Sequence, residues 1–432
     1  MIPLDQALRI VDETLAGAVL PCQSVPTRQA AGRVLAREQR SRVDLPPFDK
    51  AAVDGYAIPA GDCGGEYAIA ATVAAGQLAA GPLRLGEAVK VMTGAPVPPG
   101  TERVVMQEDA ELCGETVRLS LRGHDPISGR SGNRDRVPGN PANFCRQGED
   151  MRRGDVVLPA GTFLRPLDVA NLLSCGIGSV EVVRRPRASI VSTGDEIVDD
   201  PALLSPGKIM NTNGPLLAGL CAAHGLEVVS ETAAPDTPQA AHEAIRTALG
   251  HADIVLLSGG VSVGEFDFVL DALSQSGLRV HFSRLAVKPG KPTVFATREN
   301  KASVVPVVFG LPGNPVAVFL MFHLFVLRAA GHLTGAAPLT LPSPQGGEGG
   351  VRGLRAFSLA LAAPFKRRHA ERAEFIPARL TREGRVEPIA YHGSAHLLAL
   401  TRADGFFSLP AGTTELAAGE VVEFLMLPEH SQ

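Results

Sequence analysis

From residue 187 to residue 327 the sequence alternates between apolar strand patterns and helical patterns, and this alternation constrains the fold more than any other feature. The predicted strands cover residues 187–192, 226–230, 253–257 and 304–309, and the predicted helices cover 214–224, 239–250, 267–276 and 315–327. Strands that alternate with helices favour a doubly wound parallel sheet with helices on both faces. In such sheets ligands bind beyond the carboxyl ends of the strands. The loops that follow these strands are therefore the first candidates for a functional site.

Other patterns surround this α/β segment. Residues 4–38 carry apolar residues every three or four positions, which predicts helix, and residues 43–60 around two prolines predict a loop. Short strand patterns between glycines over residues 61–122 predict a small all-β insert. A helix is predicted over Pro166–Ser174, and residues 357–428 return to an alternating pattern typical of a last small β domain.

Two stretches have compositions that do not favour a packed core. Residues 123–141 are rich in Gly, Arg, Asn and Pro, and they predict an exposed loop. Residues 336–356 are of low complexity and rich in Gly and Pro, which predicts a flexible tract.

Length and composition limit the class of protein. A chain of 432 residues exceeds the roughly 250–300 residues at which a single core stops growing, so several domains are expected. A net charge of −4, no Trp and three Tyr argue against a general nucleic-acid binder. The six cysteines form no C-x-x-C pair, which disfavours a zinc site. Neither a leader peptide nor a membrane-length apolar run is recognised, so a cytoplasmic protein without membrane contact is expected.

Three predicted strands end in polar, glycine-rich loops. These loops are residues 192–196 (STGDE), 258–267 (SGGVSVGEFD) and 310–315 (GLPGNP). Glycines let backbone N–H groups approach an anion closely, and a helix N-terminus adds partial positive charge. A single loop of this kind is explained by a tight turn. Three at one sheet edge predict a site for a phosphorylated ligand.

Charged residues accompany these loops. Asp195, Glu196, Glu265 and Asp267 either cap helices or hold a divalent cation beside a phosphate. Residues 288–292 (KPGKP) place two lysines in a loop stiffened by prolines, which is either a solvated surface turn or an anion site.

Together these segments resemble one family, the molybdopterin molybdenumtransferases, called MoeA in bacteria and represented by the E domain of gephyrin. The motifs that carry the resemblance occur in family order at residues 48–57 (FDKAAVDGYA), 91–98 (VMTGAPVP), 147–150 (QGED), 192–196, 258–267, 288–292 and 310–315. They cover roughly residues 1–335. Residues 372–375 (RAEF) and 393–396 (GSAH) extend the match less strongly.

The resemblance implies a multidomain α/β plus β architecture. A discontinuous linking domain would take residues 1–45 and 145–185, and a β-rich insert would take 46–144. A doubly wound parallel-sheet molybdopterin-binding domain would take 186–335, and a C-terminal β domain 336–432. The family also forms homodimers whose sites are shared across subunits, so a homodimer is expected, while contacts with other cofactor-assembly proteins stay open.

The resemblance also implies the reaction. Molybdenum from molybdate would be inserted into adenylylated molybdopterin, and AMP would leave, with Mg²⁺ as the cofactor. The family's functional acids, together with one threonine, fall at Asp54, Thr93, Asp150, Glu196, Asp236 and Asp267, of which Glu196 and Asp267 would hold the metal. The oxyanion would be bound by Lys288, Lys291, Arg372 and Ser394. The pterin substrate would be bound by Ser192, Thr193, Gly194, Ser258, Gly259, Gly260, Ser262, Gly264, Pro312, Gly313 and Asn314.

One position departs from the family, and two other functions stay open. Family members often carry Ser where this chain has Ala317, so one hydroxyl is missing from the expected oxyanion pocket. A non-catalytic molybdopterin-binding scaffold and a nucleotide-processing relative that shares only the α/β domain are the alternatives. The motifs around Asp54 and Thr93 argue against the second, and the retained acids and lysines argue against the first. The sequence does not separate molybdate from tungstate, because the two oxyanions have nearly the same size and charge.

Overall fold

A computed structural model describes residues 1–61, 65–78, 81–119, 142–259, 266–298, 305–336, 354–391, 393 and 395–427. The predicted loop at 123–141 and most of the predicted flexible tract at 336–356 lie outside these residues.

The first helix is much shorter than the pattern over residues 4–38 predicts. Helix α1 (Leu4–Leu15) ends before Gly17, which has φ of 77°, and strands β1 (Cys22–Pro26) and β2 (Gln39–Arg40) follow. The prediction of helix beyond residue 15 is therefore wrong. Pro21 and Pro26 explain this result, since proline lacks the N–H that a helix interior needs.

A β-rich region is confirmed within the predicted insert, and its strands begin before residue 61, where the strand pattern of the sequence begins. Its strands are β3 (Lys50–Ala51), β4 (Gly55–Pro59), β5 (Glu66–Val73), β6 (Glu87–Val91), β7 (Thr101–Met106), β8 (Ala110–Cys113), β9 (Thr116–Leu119) and β10 (Phe144–Cys145). Six of them form a sheet in the order β7-β4-β6-β5-β9-β8, and β10 pairs with β3. The prediction of a loop over residues 43–60 is wrong at β4, because this segment is a strand whose five residues are all buried.

The chain then returns to pair with its own N-terminal strands. Strand β11 (Val156–Leu158), helix α2 (Pro166–Ser174) and strand β12 (Ser179–Val183) follow the insert, and α2 has the predicted bounds. Strand β12 pairs with β1 and β11 pairs with β2, both antiparallel. Helix α1, by contrast, packs its apolar face into the core of the α/β layer described next. The exact domain bounds stay a prediction.

Strands and helices alternate from residue 187, as predicted. The elements are β13 (Arg187–Thr193), β14 (Ile197–Val198), β15 (Ile209–Met210), α3 (Asn213–Ala223), β16 (Glu227–Ala234), α4 (Pro238–Leu249), β17 (Ile254–Ser258), α5 (Phe266–Gln275), β18 (Leu278–Phe282), β19 (Val287–Lys288), β20 (Val294–Arg298), β21 (Val307–Leu311), α6 (Pro315–Met321) and α7 (Leu327–Thr334). A π-helical turn over Phe322–Val326 joins α6 to α7.

The central sheet has the order β16-β13-β17-β21-β20-β18. Strands β16, β13, β17 and β21 are parallel, whereas β20 and β18 add an antiparallel edge that the sequence pattern did not predict. Helices α3, α6 and α7 cover one face and α4 and α5 cover the other. The doubly wound α/β core is thus confirmed, and it directs the carboxyl ends of β13, β17 and β21 toward one edge.

The last region forms another mixed sheet and a separate two-stranded sheet. It contains β22 (Arg355–Ala360), β23 (Phe365–Lys366), β24 (Ala373–Leu380), β25 (Val386–Pro388), helix α8 (Leu397–Leu400), β26 (Gly405–Leu409), β27 (Glu415–Leu416) and β28 (Val421–Met426). The sheet order is β19-β24-β26-β28-β22, so β19 from the α/β region joins it as an edge strand. This pairing brings the predicted lysine loop against the C-terminal region.

One helical stretch, Pro315–Thr334, is long and apolar enough to cross a membrane by length and composition alone. It packs as a core helix, since 89% of its most apolar window is buried inside the protein.

Candidate active site

The three glycine-rich loops meet at the carboxyl ends of their strands. Gly259 has φ of +88°, and a Cβ at this position would lie 2.0 Å from the backbone oxygen of Thr193. A Cβ at Gly313 would lie 3.9 Å from the Cα of Gly259. The loops after β13, β17 and β21 are therefore in direct contact, and the close approach at Gly259 requires glycine.

Buried polar atoms without a partner surround this junction. Ser192, Thr193 and Ser258 are at most 5% exposed, and among the described residues their hydroxyls have no hydrogen-bond partner. The Oδ1 atom of Asn213 is also buried without a partner in the described part of the chain, while its Nδ2 donates to the backbone oxygen of Gly313 at 2.7 Å. Because buried polar groups in proteins are nearly always hydrogen-bonded, this cluster fits a site that a polar ligand completes.

Sequence reasoning missed Asn213. It lies at the start of α3, about twenty residues after the first glycine-rich loop, and no motif around it indicates a ligand. Only the fold shows that its side chain contacts the third loop.

An acidic patch lies beside the first loop. The Asp195 carboxylate accepts a hydrogen bond from the backbone N–H of Asp236 at 3.1 Å, and Asp236 Oδ1 is buried without a partner among the described residues. Burial, then the charges of Asp195 and Glu196, raise the pKa of Asp236. The Glu196 carboxylate folds back over Gly194, where a Cβ would lie 2.6 Å from Glu196 Oε2. Three acids thus crowd one rim of the site.

Basic side chains line a cavity next to the third loop. The cavity measures about 430 Å³, and its lining residues are Lys288, Pro289, Gly290, Lys291, Pro292, Pro312, Gly313, Asn314, Ala317, Arg372 and Tyr391. Lys288, Lys291 and Arg372 come together here because β19 pairs with β24 in parallel register. Pro312, Gly313 and Asn314 also belong to the third loop, so the cavity adjoins the loop junction. Ala317 contributes a methyl group to the wall.

Asp54, Thr93 and Asp150 lie in a different part of the molecule. One Asp54 oxygen accepts hydrogen bonds from the Thr93 N–H at 2.6 Å and from the Thr93 hydroxyl at 2.7 Å. The backbone hydrogen bond, followed by the hydroxyl hydrogen bond, lowers the pKa of Asp54. Asp150 is exposed and donates its N–H to the Leu45 oxygen at 2.9 Å. These hydrogen bonds stay within residues 45–150 and place Asp54 as a fixed carboxylate.

Some predicted site residues lie outside the described part of the chain. These are Gly260, Ser262, Gly264 and Ser394. The backbone of Asp267 belongs to the first turn of α5, but its side chain is also outside the description. Within the described residues, no three His, Cys, Asp or Glu side chains stand in an arrangement that could hold a metal ion.

Comparisons with known proteins identify the family. Residues 2–176 match the MoeA N-terminal region (domain I and II), residues 189–332 match the probable molybdopterin binding domain, and residues 359–427 match the MoeA C-terminal region (domain IV). The chain is 30% identical over 433 residues to a molybdopterin molybdenumtransferase of Staphylococcus aureus (strain N315), covering 98% of this chain and 95% of the relative. The chain belongs to the molybdopterin molybdenumtransferases.

Other members of the family match over similar lengths. A molybdopterin molybdenumtransferase of Staphylococcus epidermidis (strain ATCC 12228 / FDA PCI 1200) is 29% identical over 413 residues, covering 93% of this chain and 90% of that protein. A solved structure of the molybdopterin biosynthesis moeA protein from Pyrococcus horikoshii OT3 superposes with a TM-score of 0.76 and 29% identity, covering 99% and 100% of the two chains. The predicted family, the enzyme class and the multidomain fold are thereby confirmed, as is a role in inserting molybdenum during molybdenum-cofactor biosynthesis.

Proposed function

We propose that this molybdopterin molybdenumtransferase takes molybdenum from molybdate, inserts it into adenylylated molybdopterin, and releases AMP. The observation that carries the proposal is the cavity of about 430 Å³ lined by Lys288, Lys291 and Arg372. It directly adjoins the loop junction of the α/β sheet. A site for an oxyanion and a site for a phosphorylated pterin would therefore lie side by side.

The cavity supplies the charge that a molybdate dianion needs. Two ammonium groups and a guanidinium offer several N–H donors, and charge-assisted hydrogen bonds to oxyanions are stronger than neutral ones. The methyl group of Ala317 gives no hydrogen bond, so the described basic side chains must hold the oxyanion without a hydroxyl at this position. The cavity therefore favours binding of molybdate through its positive charges.

The loop junction supplies the hydrogen-bonding groups that would bind the pterin. The unpartnered hydroxyls of Ser192, Thr193 and Ser258 can donate or accept hydrogen bonds, whereas the Asn213 oxygen can only accept. A heterocycle that carries both ring N–H groups and carbonyl groups fits this mixed set better than a phosphate alone. The glycine-rich backbones of the same loops would take the phosphate groups.

The acidic rim offers oxygen ligands of the kind that Mg²⁺ prefers. Burial, and then the nearby charges of Asp195 and Glu196, raise the pKa of Asp236, so these acids lie near one another. We place Mg²⁺ on Glu196 and Asp267, as the family resemblance implies. When bound, the ion would offset the repulsion between these carboxylates and the anionic substrates and would polarise the adenylyl phosphate.

We further infer a homodimer in which Asp54 and Thr93 of one subunit complete the site of the other. In this chain the hydrogen bonds of Asp54 lie within the insert, and its lowered pKa keeps it anionic. An anionic carboxylate of fixed orientation is suited to orienting a water molecule or a pterin thiol.

We also place the enzyme in the cytoplasm, which is supported by five free thiols among the described cysteines.

Reconstitution with purified components tests this proposal. The protein is incubated with adenylylated molybdopterin and molybdate, with and without Mg²⁺, and the products are quantified by activation of a cofactor-free molybdoenzyme and by nucleotide chromatography. The proposal predicts one AMP for each cofactor formed and strong dependence on both molybdate and Mg²⁺. Cofactor formation without AMP release would contradict the adenylylated substrate, and formation without Mg²⁺ would contradict the cation.

A further inference from the structure

We infer that Glu374 is a positioning residue that competes with the bound oxyanion for the Lys288 ammonium and so keeps the oxyanion exchangeable. This inference rests on the proposed function of the cavity lined by Lys288, Lys291 and Arg372. It assigns a role to a residue that contacts Lys288, one of the proposed ligands, and is not itself a ligand.

The side chains of Lys288 and Glu374 face each other across a strand pair. Parallel pairing of β19 with β24 sets Lys288 opposite Glu374, and the Lys288 ammonium lies 2.7 Å from Glu374 Oε1. The Glu374 side chain is only 8% exposed, whereas that of Lys288 is 49% exposed. The carboxylate is therefore the fixed partner, and the lysine is the partner that can move.

A buried arginine holds the carboxylate in place. Arg367, whose side chain is 5% exposed, lies 3.4 Å from Glu374 Oε2. The same Nη1 of Arg367 also donates to the backbone oxygen of Arg372 at 3.0 Å, and the other two guanidinium nitrogens donate to the backbone oxygens of Thr413 and Pro410. Since a buried charge needs a partner, Arg367 keeps the Glu374 carboxylate paired whether or not Lys288 stays in contact. The same arginine fixes the backbone of Arg372, one of the proposed oxyanion ligands.

Lys288 stands between two cavities. It lines the oxyanion cavity together with Lys291 and Arg372. It also lines a second cavity of about 1020 Å³, whose wall contains Glu374 and Arg368. Glu374 belongs to the wall of the second cavity and not to that of the oxyanion cavity, so it attracts the ammonium away from the oxyanion.

This competition has a consequence for turnover. Binding energy that is equal in the ground state and the transition state lowers KM without raising kcat. An oxyanion held by three uncompensated cations would be bound tightly and would leave slowly toward the pterin. By competing for Lys288, Glu374 lowers the affinity of the cavity for the oxyanion in the ground state. The Lys288 ammonium is then free to follow the metal oxyanion during its transfer to the pterin.

The test is a titration of the full-length protein with molybdate by calorimetry, in parallel with steady-state cofactor formation. Glu374→Gln keeps the shape and removes the charge. We expect the Kd for molybdate to fall about three- to tenfold, because the Lys288 ammonium, released from its competing carboxylate, becomes fully available to the partly screened oxyanion. The kcat should fall rather than rise. A Kd that stays the same or increases in this variant would overturn the inference.

Two further variants separate positioning from folding and from simple repulsion. Glu374→Asp keeps the charge that Arg367 requires but withdraws it from Lys288, so a smaller tightening of about twofold is expected even if Glu374→Gln does not fold. In a Lys288→Ala background, Glu374→Gln should leave the Kd for molybdate unchanged. Tightening in that background would show that Glu374 does not act through Lys288 and would overturn the inference.

The exposed pair of Lys366 and Glu415 is a matched control. Its ammonium and carboxylate are also 2.7 Å apart, but the side chains are 71% and 56% exposed. Glu415→Gln should leave the molybdate affinity unchanged.

If Lys288→Ala alone does not weaken binding, the proposed oxyanion site fails and the inference fails with it. If Lys288→Ala weakens binding and Glu374→Gln has no effect, only the inference fails.

Discussion

Side chains of opposite charge occupy two sides of the same loop junction. Glu196 and Asp236 lie near the first loop, and Lys288, Lys291 and Arg372 line the cavity beside the third loop. Substitutions on the two sides should therefore fail in different ways, one affecting the metal requirement and the other affecting the molybdate requirement.

Lys288→Ala should raise the molybdate concentration for half-maximal cofactor formation by about tenfold, because it removes one of three cations around the oxyanion. Excess molybdate should restore much of the rate. Lys366→Ala, which removes an exposed ammonium from the same region, should leave the molybdate dependence unchanged. A lower kcat at saturating molybdate with an unaltered half-saturation point would show that Lys288 does not bind the oxyanion.

Asp267→Asn keeps the size of the side chain and removes the charge that we assign to Mg²⁺. Hydrolysis of the adenylyl bond should fall sharply and should respond to Mg²⁺ concentration, whereas binding of the adenylylated pterin should survive. Separate titrations of Mg²⁺ and molybdate against this variant and Lys288→Ala measure the difference. Rescue of Asp267→Asn by molybdate, without rescue of Lys288→Ala, would invert our assignment of the two sides.

Asp236→Asn should stabilise the protein at neutral pH when Mg²⁺ is absent. Burial and neighbouring acids raise the pKa of Asp236, so the folded state favours the protonated carboxyl, and this contribution to stability is lost as pH rises through the folded pKa. The variant should unfold about 1–2 °C higher than the wild type at pH 7, and the difference should vanish near pH 3. Glu13→Gln, at an exposed position of α1, is the control, and an equal gain at both pH values would disprove the titration of Asp236 as the cause.

At the scale of elements, the sequence pattern predicted helix α2 and the alternation of strands and helices from β13 to α6. Their apolar residues pack into hydrophobic cores and therefore recur with a helical period or stand in short apolar runs. Strand β4 was missed because it lies shortly after Pro46 and Pro47 and carries Gly55 and Pro59 at its own ends, and these residue types are typical of loops. Strands β18 and β20 were missed because they pair antiparallel and no helix connects them, so they do not form a β-α unit.

A partly buried group of charged side chains joins helix α1 to helix α7. The apolar periodicity of α1 in the sequence does not indicate this contact. Asp12 pairs with Arg328 and accepts from His332 Nε2 at 2.8 Å. Burial raises the pKa of Asp12, but the hydrogen bonds and charges of Arg328 and His332 outweigh it and hold the pKa below its usual value. A depressed folded pKa stabilises the fold above the unfolded pKa, and this stabilisation is lost as pH falls through the folded pKa.

Asp12→Asn should therefore lower the melting temperature by about 2–4 °C at pH 7, a loss of roughly 1–2 kcal/mol for a partly buried, multiply bonded carboxylate. The difference should shrink as pH falls through the depressed folded pKa of Asp12, because the wild-type carboxyl then also becomes neutral. Asp5→Asn is the matched control on the same helix, because its pair with Arg9 is 3.7 Å apart and largely exposed. Equal losses in the two variants, measured by scanning calorimetry, would show that Asp12 does not anchor the helix.

At the scale of the whole molecule, the site depends on a pairing that no local pattern contains. Strand β19 leaves the α/β region and joins the edge of the C-terminal sheet, which brings Lys288 beside Glu374 although 85 positions separate them. The loops that carry chemistry were therefore predictable one by one from residue types. The contacts between them, including Asn213 with Gly313, required the fold.

The position of Asp54 and Thr93 in the insert predicts a dimer in solution. If these residues complete the site of a second subunit, the protein should sediment as a dimer at micromolar concentration. Mixing Asp54→Asn with Lys288→Ala should then restore partial activity, because half of the sites in mixed dimers contain neither substitution. A purely monomeric species with full activity would contradict the shared site.

The central claim is that the cavity beside the third loop binds the metal oxyanion. Its most direct test is anomalous diffraction from crystals soaked in tungstate, which has nearly the same size and charge as molybdate. We predict a tungsten peak within hydrogen-bonding distance of Lys288, Lys291 and Arg372, and loss of that peak in Lys291→Ala crystals. A peak instead in the other basic cavity, lined by Arg379, His396 and Arg402, with this one lacking tungsten, would contradict the account.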